Sequence, residues 1–264
     1  MYFNGFNWKS IEQQIGGFGK KKPFDYVVID DFFTQEFANQ LSNEFPAYES
    51  KIWQRYDNPI EVKKVCNNWN IFPAGTYSAF SYLNSQEWLT YLSSKLTGVS
   101  KLFSDSGLNG GGWHIHKKGG KLNTHLDYSL HPKLGLQRKL NIIIYMNPNW
   151  KKEWGGALGF WGNESIEKPG ELVTSVWSKF NRAVIFDTTQ NSWHGLPEQI
   201  VCPADEARQS FAAYYLCKAP KGVDKRGKAL FAPTEEQENN TEILELIKKR
   251  SSVKTADSVY MKKR

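Results

Sequence analysis

Two short stretches of this sequence carry the residue types from which a metal centre is built. In Asn123-Thr124-His125-Leu126-Asp127-Tyr128 an imidazole and a carboxylate stand two positions apart. Alternate side chains of an extended strand project to one face, so His125 and Asp127 are expected to point together. A third donor, His194 of Ser192-Trp193-His194-Gly195, has to arrive from a neighbouring strand. Two imidazoles and one carboxylate on one side of a metal leave the other side open, the donor set that suits non-haem Fe(II). The chain has five histidines, so a chance His-x-Asp is easy to find, and a surface pair in a turn is the plain alternative. The surroundings have to decide.

Val184-Ile185-Phe186 is a short apolar run that reads as a buried strand, followed by a turn-rich stretch and then by His194. The next strand reads Arg208-Gln209-Ser210-Phe211-Ala212-Ala213-Tyr214-Tyr215-Leu216. An arginine in such apolar company is costly to bury unless a carboxylate meets it. Ser210 shares the face of Arg208, and a guanidinium with a hydroxyl beside it suits an anionic carboxylate ligand. A strand-end arginine facing water is the competing reading. His114 and His116, in Trp113-His114-Ile115-His116-Lys117, are a rival metal pair on one strand face. A cupin-type site needs a carboxylate three or four residues further on, where Lys118, Gly119 and Gly120 stand instead.

The order His125-x-Asp127, then His194, then Arg208-x-Ser210 fourteen residues later resembles the Fe(II)/2-oxoglutarate-dependent dioxygenases, and more narrowly their prolyl 4-hydroxylase-like branch. The resemblance runs over residues 23–217. It takes in the lead-in Lys22-Pro23-Phe24-Asp25-Tyr26-Val27-Val28-Ile29-Asp30-Asp31-Phe32-Phe33, residues 140–147, and Trp154-Gly155-Gly156-Ala157-Leu158. By that resemblance His125, Asp127 and His194 hold Fe(II). Arg208 with Ser210 then binds the far carboxylate of 2-oxoglutarate, whose keto acid end chelates the metal. Tyr145, late in a long strand over residues 137–147, is expected to point inward to the same co-substrate. The family often carries a tyrosine that touches the co-substrate nine residues before the first ligand; His116 stands there in this chain.

The implied reaction uses dioxygen, with ascorbate as an optional reductant. It hydroxylates an unactivated C–H bond and releases succinate and CO2. The branch points to a prolyl residue of a protein or peptide, yet the same scaffold serves sugars, nucleotides and other small metabolites, because fold does not fix substrate. Two other classes compete. A zinc or manganese cupin-like enzyme has no evident use for Arg208 and Ser210, and a non-catalytic jelly-roll binding module leaves a complete triad unexplained.

The elements that position these residues follow from periodicity. Helices are expected over Trp8–Gln14 and residues 34–44, where Phe37, Leu41 and Phe45 recur at helical spacing, with a strand over Tyr26–Ile29 between them. Residues 47–73 read as turn-rich and irregular. Residues 77–96 read as two helices broken near Asn84-Ser85 and packed on the outside of a sheet. From about Ser100 the texture changes to short strands separated by turns, with Trp154-Gly155-Gly156 starting one of them. Residues 220–233 read as a polar connection, Thr234 with Gln237 as capping chemistry, and Ile243, Leu244 and Ile247 as the stripe of a last helix that frays after Ser251.

The expected fold is mainly β with flanking helices: a double-stranded β-helix (jelly-roll) barrel core supported by N-terminal α-helices. Its parts are a strand and supporting helices over residues 1–99, the catalytic core over 100–217, and a basic C-terminal helix and tail over 218–264, all one structural domain.

At 264 residues, with 40% hydrophobic and 14% aromatic content, the chain can bury a large core. It has no apolar run long enough for a transmembrane helix, and Met1-Tyr2-Phe3-Asn4-Gly5 lacks the pattern of a secretory signal. Three cysteines at unrelated spacings fit reduced thiols, so a cytoplasmic location is expected. The net charge of +7 is concentrated in residues 218–264, where twelve Lys or Arg face seven Asp or Glu. That pattern is commonest on a solvated face, and no aromatic-basic interleaving argues for nucleic acid. No residue pattern names a substrate, a membrane partner or an oligomeric state.

Overall fold

The computed structural model describes residues 3–96 and 98–259. In chain order the first elements are α1 (Trp8–Gln14), β1 (Tyr26–Ile29), α2 (Gln35–Asn43), β2 (Gln54–Asn58), β3 (Glu61–Cys66), α3 (Ala74–Leu83) and α4 (Gln86–Lys95). The strands β4 (Phe103–Ser104), β5 (Gly112–His116), β6 (Lys121–Leu122), β7 (His125–Leu126) and β8 (Gln137–Tyr145) follow. After them come β9 (Leu158–Asn163), β10 (Pro169–Val176), β11 (Ala183–Asp187), β12 (His194–Gly195), β13 (Arg208–Cys217), β14 (Leu230–Phe231) and α5 (Thr241–Arg250).

The helix starts are set by side-chain oxygens that satisfy otherwise unpaired backbone donors. Thr34 accepts from Phe37 N at the head of α2, and Ser85 accepts from Trp88 N at the head of α4. Ser85 is also why residues 77–96 break into two helices where expected.

The strands fall into two antiparallel sheets. The large one runs β1-β11-β8-β13-β5-β3-β2, with β4 on β13 and β6 on β3; the small one runs β10-β9-β12-β7-β14. Alternation in β8 and β13 sorts the large sheet's two faces. Leu140, Ile142, Ile144, Phe211, Ala213 and Tyr215 meet the helices, packing with Leu41, Phe80, Leu83, Trp88 and Leu92. The Trp88 indole N–H donates to the Tyr215 hydroxyl at 2.7 Å, tying α4 to β13 inside that core. The opposite face meets the small sheet, where Tyr145, Val184 and Phe186 pack against Leu158, Phe160 and Val176. Two facing antiparallel sheets with helices behind the larger one make the expected double-stranded β-helix architecture, as two sheets rather than one closed ring.

Four expectations need correction. Residues 47–73 are not irregular: β2 and β3 form a hairpin that extends the large sheet. Their sequences, Gln-Arg-Tyr-Asp-Asn and Glu-Val-Lys-Lys-Val-Cys, carry little apolar alternation because β2 is an edge strand largely facing water. Residues 220–233 contain β14, which pairs with β7, so this segment completes the small sheet. Strand β9 begins at Leu158 rather than at Trp154-Gly155-Gly156, because both glycines adopt positive φ and cannot continue a ladder. Beyond Ser251, Ala256–Val259 forms a short 3₁₀ turn with Ala256 buried, so the frayed end does not begin at Ser251. Residues 260–264 lie outside the described ones. Among the described residues, no helix is long and apolar enough to cross a membrane.

Candidate active site

The short strands β7 and β12 pair so that His125 and His194 stand directly opposite one another, ring centroids 4.3 Å apart. Asp127, just past β7, returns to the same face. Its Oδ1 lies 4.0 Å from His125 Nε2 and its Oδ2 3.9 Å from His194 Nε2. One donor atom from each of the three lies within 4.8 Å of the others, and all three side chains are buried. His125 Nδ1 donates to the Asn123 carbonyl at 3.0 Å, and His194 Nδ1 donates to the Ser192 carbonyl at 2.8 Å. A carbonyl only accepts, so each ring carries its proton on Nδ1 and turns the Nε2 lone pair inward.

Burial, and for His125 the neighbouring His194, hold both imidazoles below their usual pKa, His125 at about 3. Burial alone would raise Asp127, but Arg138 and the two imidazoles outweigh it, and its carboxyl titrates below the ordinary value. Two neutral imidazoles and one ionised carboxylate are the forms a divalent metal needs. The donor set fits Fe(II).

Arg208 opens β13, opposite His116 of β5, and Ser210 is flanked by His114 on one side and Tyr145 on the other. These residues therefore share the inner face of the large sheet. Arg208 is 4% exposed. Its Nε donates to the Gly156 carbonyl at 2.7 Å and to Ser178 Oγ at 3.0 Å, both neutral acceptors. Among the described residues no carboxylate pairs with it. The Tyr145 ring lies 4.9 Å from its guanidinium carbon, and both ring nitrogens of the buried His116 lack a hydrogen-bond partner. A buried cation without a counter-ion, beside unsatisfied polar atoms, is expensive unless a ligand brings the missing charge. The arrangement fits one carboxylate of 2-oxoglutarate.

The triad and Arg208 line one cavity of about 460 Å³, together with Lys63, Arg138, Ser210 and Arg250. Residues 111–216 match the family model of the 2OG-Fe(II) oxygenase superfamily. Over 91 residues it is 30% identical to the prolyl 3-hydroxylase OGFOD1 of Xenopus laevis, a match covering 33% of this chain and 17% of that protein. The chain thus matches only about a sixth of that relative's length. The chain is also similar to a solved prolyl 4-hydroxylase of Phytophthora capsici, with TM-score 0.55 and 19% identity over 96% of this chain and 78% of that one. Similarity to a Pseudomonas putida prolyl-4-hydroxylase gives TM-score 0.52 and 15% identity over 75% and 95% of the two chains. At such identities the likeness to the solved structures is one of fold.

The structure brings together the residues singled out in the sequence: His116, His125, Asp127, His194, Arg208 and Ser210 line the cavity, and Tyr145, which does not reach it, is buried beside Ser210 with its ring 4.9 Å from Arg208. His114, in the rival pair, lies too, but its Nε2 donates to the Gly110 carbonyl at 3.1 Å. Several neighbours went unread. Arg138 Nη1 sits 3.3 Å from Asp127 Oδ1, and Asn141 Nδ2 reaches Asp127 Oδ2 at 3.4 Å. Phe231 of β14 stacks on the His125 ring, centroids 5.0 Å apart. Gly156 must be glycine, since a Cβ there would lie 2.8 Å from Arg208 Cδ. Arg138 carried a signal, an arginine inside the apolar strand β8, which is the reasoning that picked out Arg208.

Proposed function

We propose that this protein is a 2OG-Fe(II) oxygenase that hydroxylates a prolyl residue of a protein or peptide, with Fe(II) held by His125, Asp127 and His194 and 2-oxoglutarate held by Arg208. Bound Fe(II) supplies oxidation of an unactivated C–H bond by dioxygen, coupled to conversion of 2-oxoglutarate to succinate and CO2. The observation that carries the reading is Arg208, a buried guanidinium with no carboxylate partner among the described residues, in the same cavity as the three metal donors. A zinc or manganese hydrolase has no use for that cation. The prolyl hydroxylases among the similar proteins support the choice of proline.

Each residue has a task that its surroundings support. The Asn123 and Ser192 carbonyls hold the two imidazoles in the metal-binding tautomer. Gly156 and Ser178 fix Arg208 through Nε, leaving its two terminal nitrogens to grip a carboxylate as a fork. Ser210, Tyr145 and His116 flank that carboxylate and exclude water. Three free, buried cysteines support a reducing compartment such as the cytoplasm.

The test uses purified protein with Fe(II), 2-oxoglutarate and ascorbate under air. Succinate is expected to form slowly without substrate and faster with a proline-containing peptide pool, in which one product gains a single oxygen. Binding that is indifferent to 2-oxoglutarate would overturn the proposal. Coupled turnover with oxygen gained only by a small metabolite would overturn its prolyl part.

A further inference from the structure

We propose that Lys63, with His116 beside it, forms a second carboxylate-binding site in the cavity, which receives an Asp or Glu side chain next to the target proline of the substrate peptide; the inference rests on the prolyl reading above. In β3, Val65 stands opposite His114 of β5, and Lys63 stands opposite Tyr56 of β2. Alternate residues of a strand share a face, so Lys63 points to the side of the sheet that carries His114, His116, Arg208 and Ser210. All of these line the cavity that holds the three metal donors. His116 pairs with Arg208 on one side and has β3 on the other. After burial, Arg208 and then Lys63 do most to lower its pKa, as expected of a ring between two cations.

Arg208 has its anion in the co-substrate. Lys63 has no comparable ligand. Its side chain is 14% exposed, and its ammonium, a group with three donors, has Glu61 Oε2 at 3.4 Å as its only charged partner among the described residues. Glu61 is fully buried, and its Oε1 accepts from Arg250 Nε at 2.9 Å. The Tyr56 ring, 5.2 Å from Lys63 Nζ, offers its face to the cation and no lone pair. His116 is 2% exposed, and neither of its ring nitrogens has a hydrogen-bond partner. Among the described residues Asp127 is the only carboxylate that lines the cavity, against Lys63, Arg138, Arg208, Lys228 and Arg250.

Fe(II) and 2-oxoglutarate carry opposite charges of equal size and leave that imbalance in place. A proline ring and its peptide groups are neutral. Seated against Lys63, a neutral segment strips water from the ammonium and returns nothing, which costs binding. A carboxylate instead accepts a charge-assisted hydrogen bond from the ammonium, and a neutral imidazole can donate one more. A basic residue at the same place in the peptide meets a like charge. The site therefore selects its peptide by the charge beside the target residue, a property that fold alone does not set.

The experiment uses the full chain loaded with Mn(II) and 2-oxoglutarate, so that binding is read without turnover. The probes are short blocked peptides with a single proline and with Glu, Gln, phosphoserine or Lys at each neighbouring position in turn, their dissociation constants read by calorimetry. At one position the Glu peptide is expected to bind about 10-fold or more tighter than its Gln counterpart, the scale of a close charge pair at an interface. The Lys peptide is expected to bind more weakly than either. Lys63→Met, which keeps the length of the stem, is expected to bind Glu and Gln peptides alike while its 2-oxoglutarate affinity stays close to wild type. Lys63→Arg is expected to keep the preference. Wild-type protein that binds Glu and Gln peptides alike at every position would overturn the proposal, and this result needs no variant to fold. So would a Lys63→Met protein that keeps the preference, or one that loses 2-oxoglutarate instead. A phosphoserine peptide that outbinds the Glu peptide would overturn the carboxylate in favour of a phosphate. Wild-type protein that binds 2-oxoglutarate but none of the peptides would refute the prolyl reading, and the proposal with it, so the two failures are distinguishable.

Discussion

At the scale of single residues, the two ends of the cavity make separable predictions. On the proposed reading Arg208 grips the co-substrate and is no metal donor, so Arg208→Ala is expected to weaken 2-oxoglutarate binding by about 2–5 kcal/mol, the usual cost of truncating one partner of a buried charge pair. Its Mn(II) affinity is expected to stay close to wild type, with both constants read by calorimetry. His194→Ala is expected to do the reverse and lose the metal, because His194 Nε2 is one of the three donors that converge among the described residues. These residues were legible from type and spacing: His-x-Asp shares a strand face, and an arginine in an apolar strand calls for an anion. Arg138 satisfied the same criterion and was passed over, because nothing in the sequence links Gln137–Tyr145 to Asp127. That link is made by Tyr128, Tyr214 and Asn109, which meet only in the folded chain.

At the scale of elements, the helices behind the large sheet act on the site indirectly, by packing against the face of β13 that points away from the cavity. Trp88 of α4 and Tyr215 of β13 make this connection through a buried hydrogen bond. Tyr215→Phe leaves the Trp88 indole N–H without an acceptor and is expected to destabilise the protein by about 1–3 kcal/mol. Since Tyr215 faces away from the cavity, 2-oxoglutarate affinity is expected to stay unchanged; denaturant unfolding and calorimetry check the two halves. Helices and central strands were readable because each buries a periodic apolar face, as with Phe37 and Leu41 of α2 or the Ile142 to Ile144 run of β8. The β2–β3 hairpin and β14 were not. An edge strand presents most of its side chains to water, and a two-residue strand has no period at all, so their pairing is written in backbone hydrogen bonds rather than in side-chain pattern. β14 still matters to the chemistry, since Phe231 covers the His125 ring.

At the scale of the whole molecule, the fold keeps buried imidazoles neutral in a cavity whose wall includes Lys63, Arg138 and Arg208, and this makes its stability sensitive to acid. His114 and His116 are the informative pair, because neither belongs to the group of three converging donors. Burial, reinforced by Lys63 and Arg208, lowers His114 to about 3 from 6.5. Burial and the same two cations hold His116 well below 6.5. In the unfolded chain both rings take up a proton as pH falls through about 6.5. The unfolded state then binds more protons than the folded one, so folding stability drops as pH falls below that value and is fully present above it. The window between pH 7 and pH 5 lies above the range of ordinary carboxylates, which isolates the histidine contribution. Metal-free protein is therefore expected to lose denaturant midpoint steadily from pH 7 to pH 5. The slope is bounded by about 1.4 kcal/mol per pH unit for each histidine. A His114→Gln/His116→Gln double variant is expected to unfold with a flatter profile over the same range. An equal slope in the variant would assign the acid sensitivity to the other three histidines, His125, His194 and His131, all held below their ordinary value by burial; bound metal, which excludes protons from His125 and His194, would then remove their share and leave that of His131.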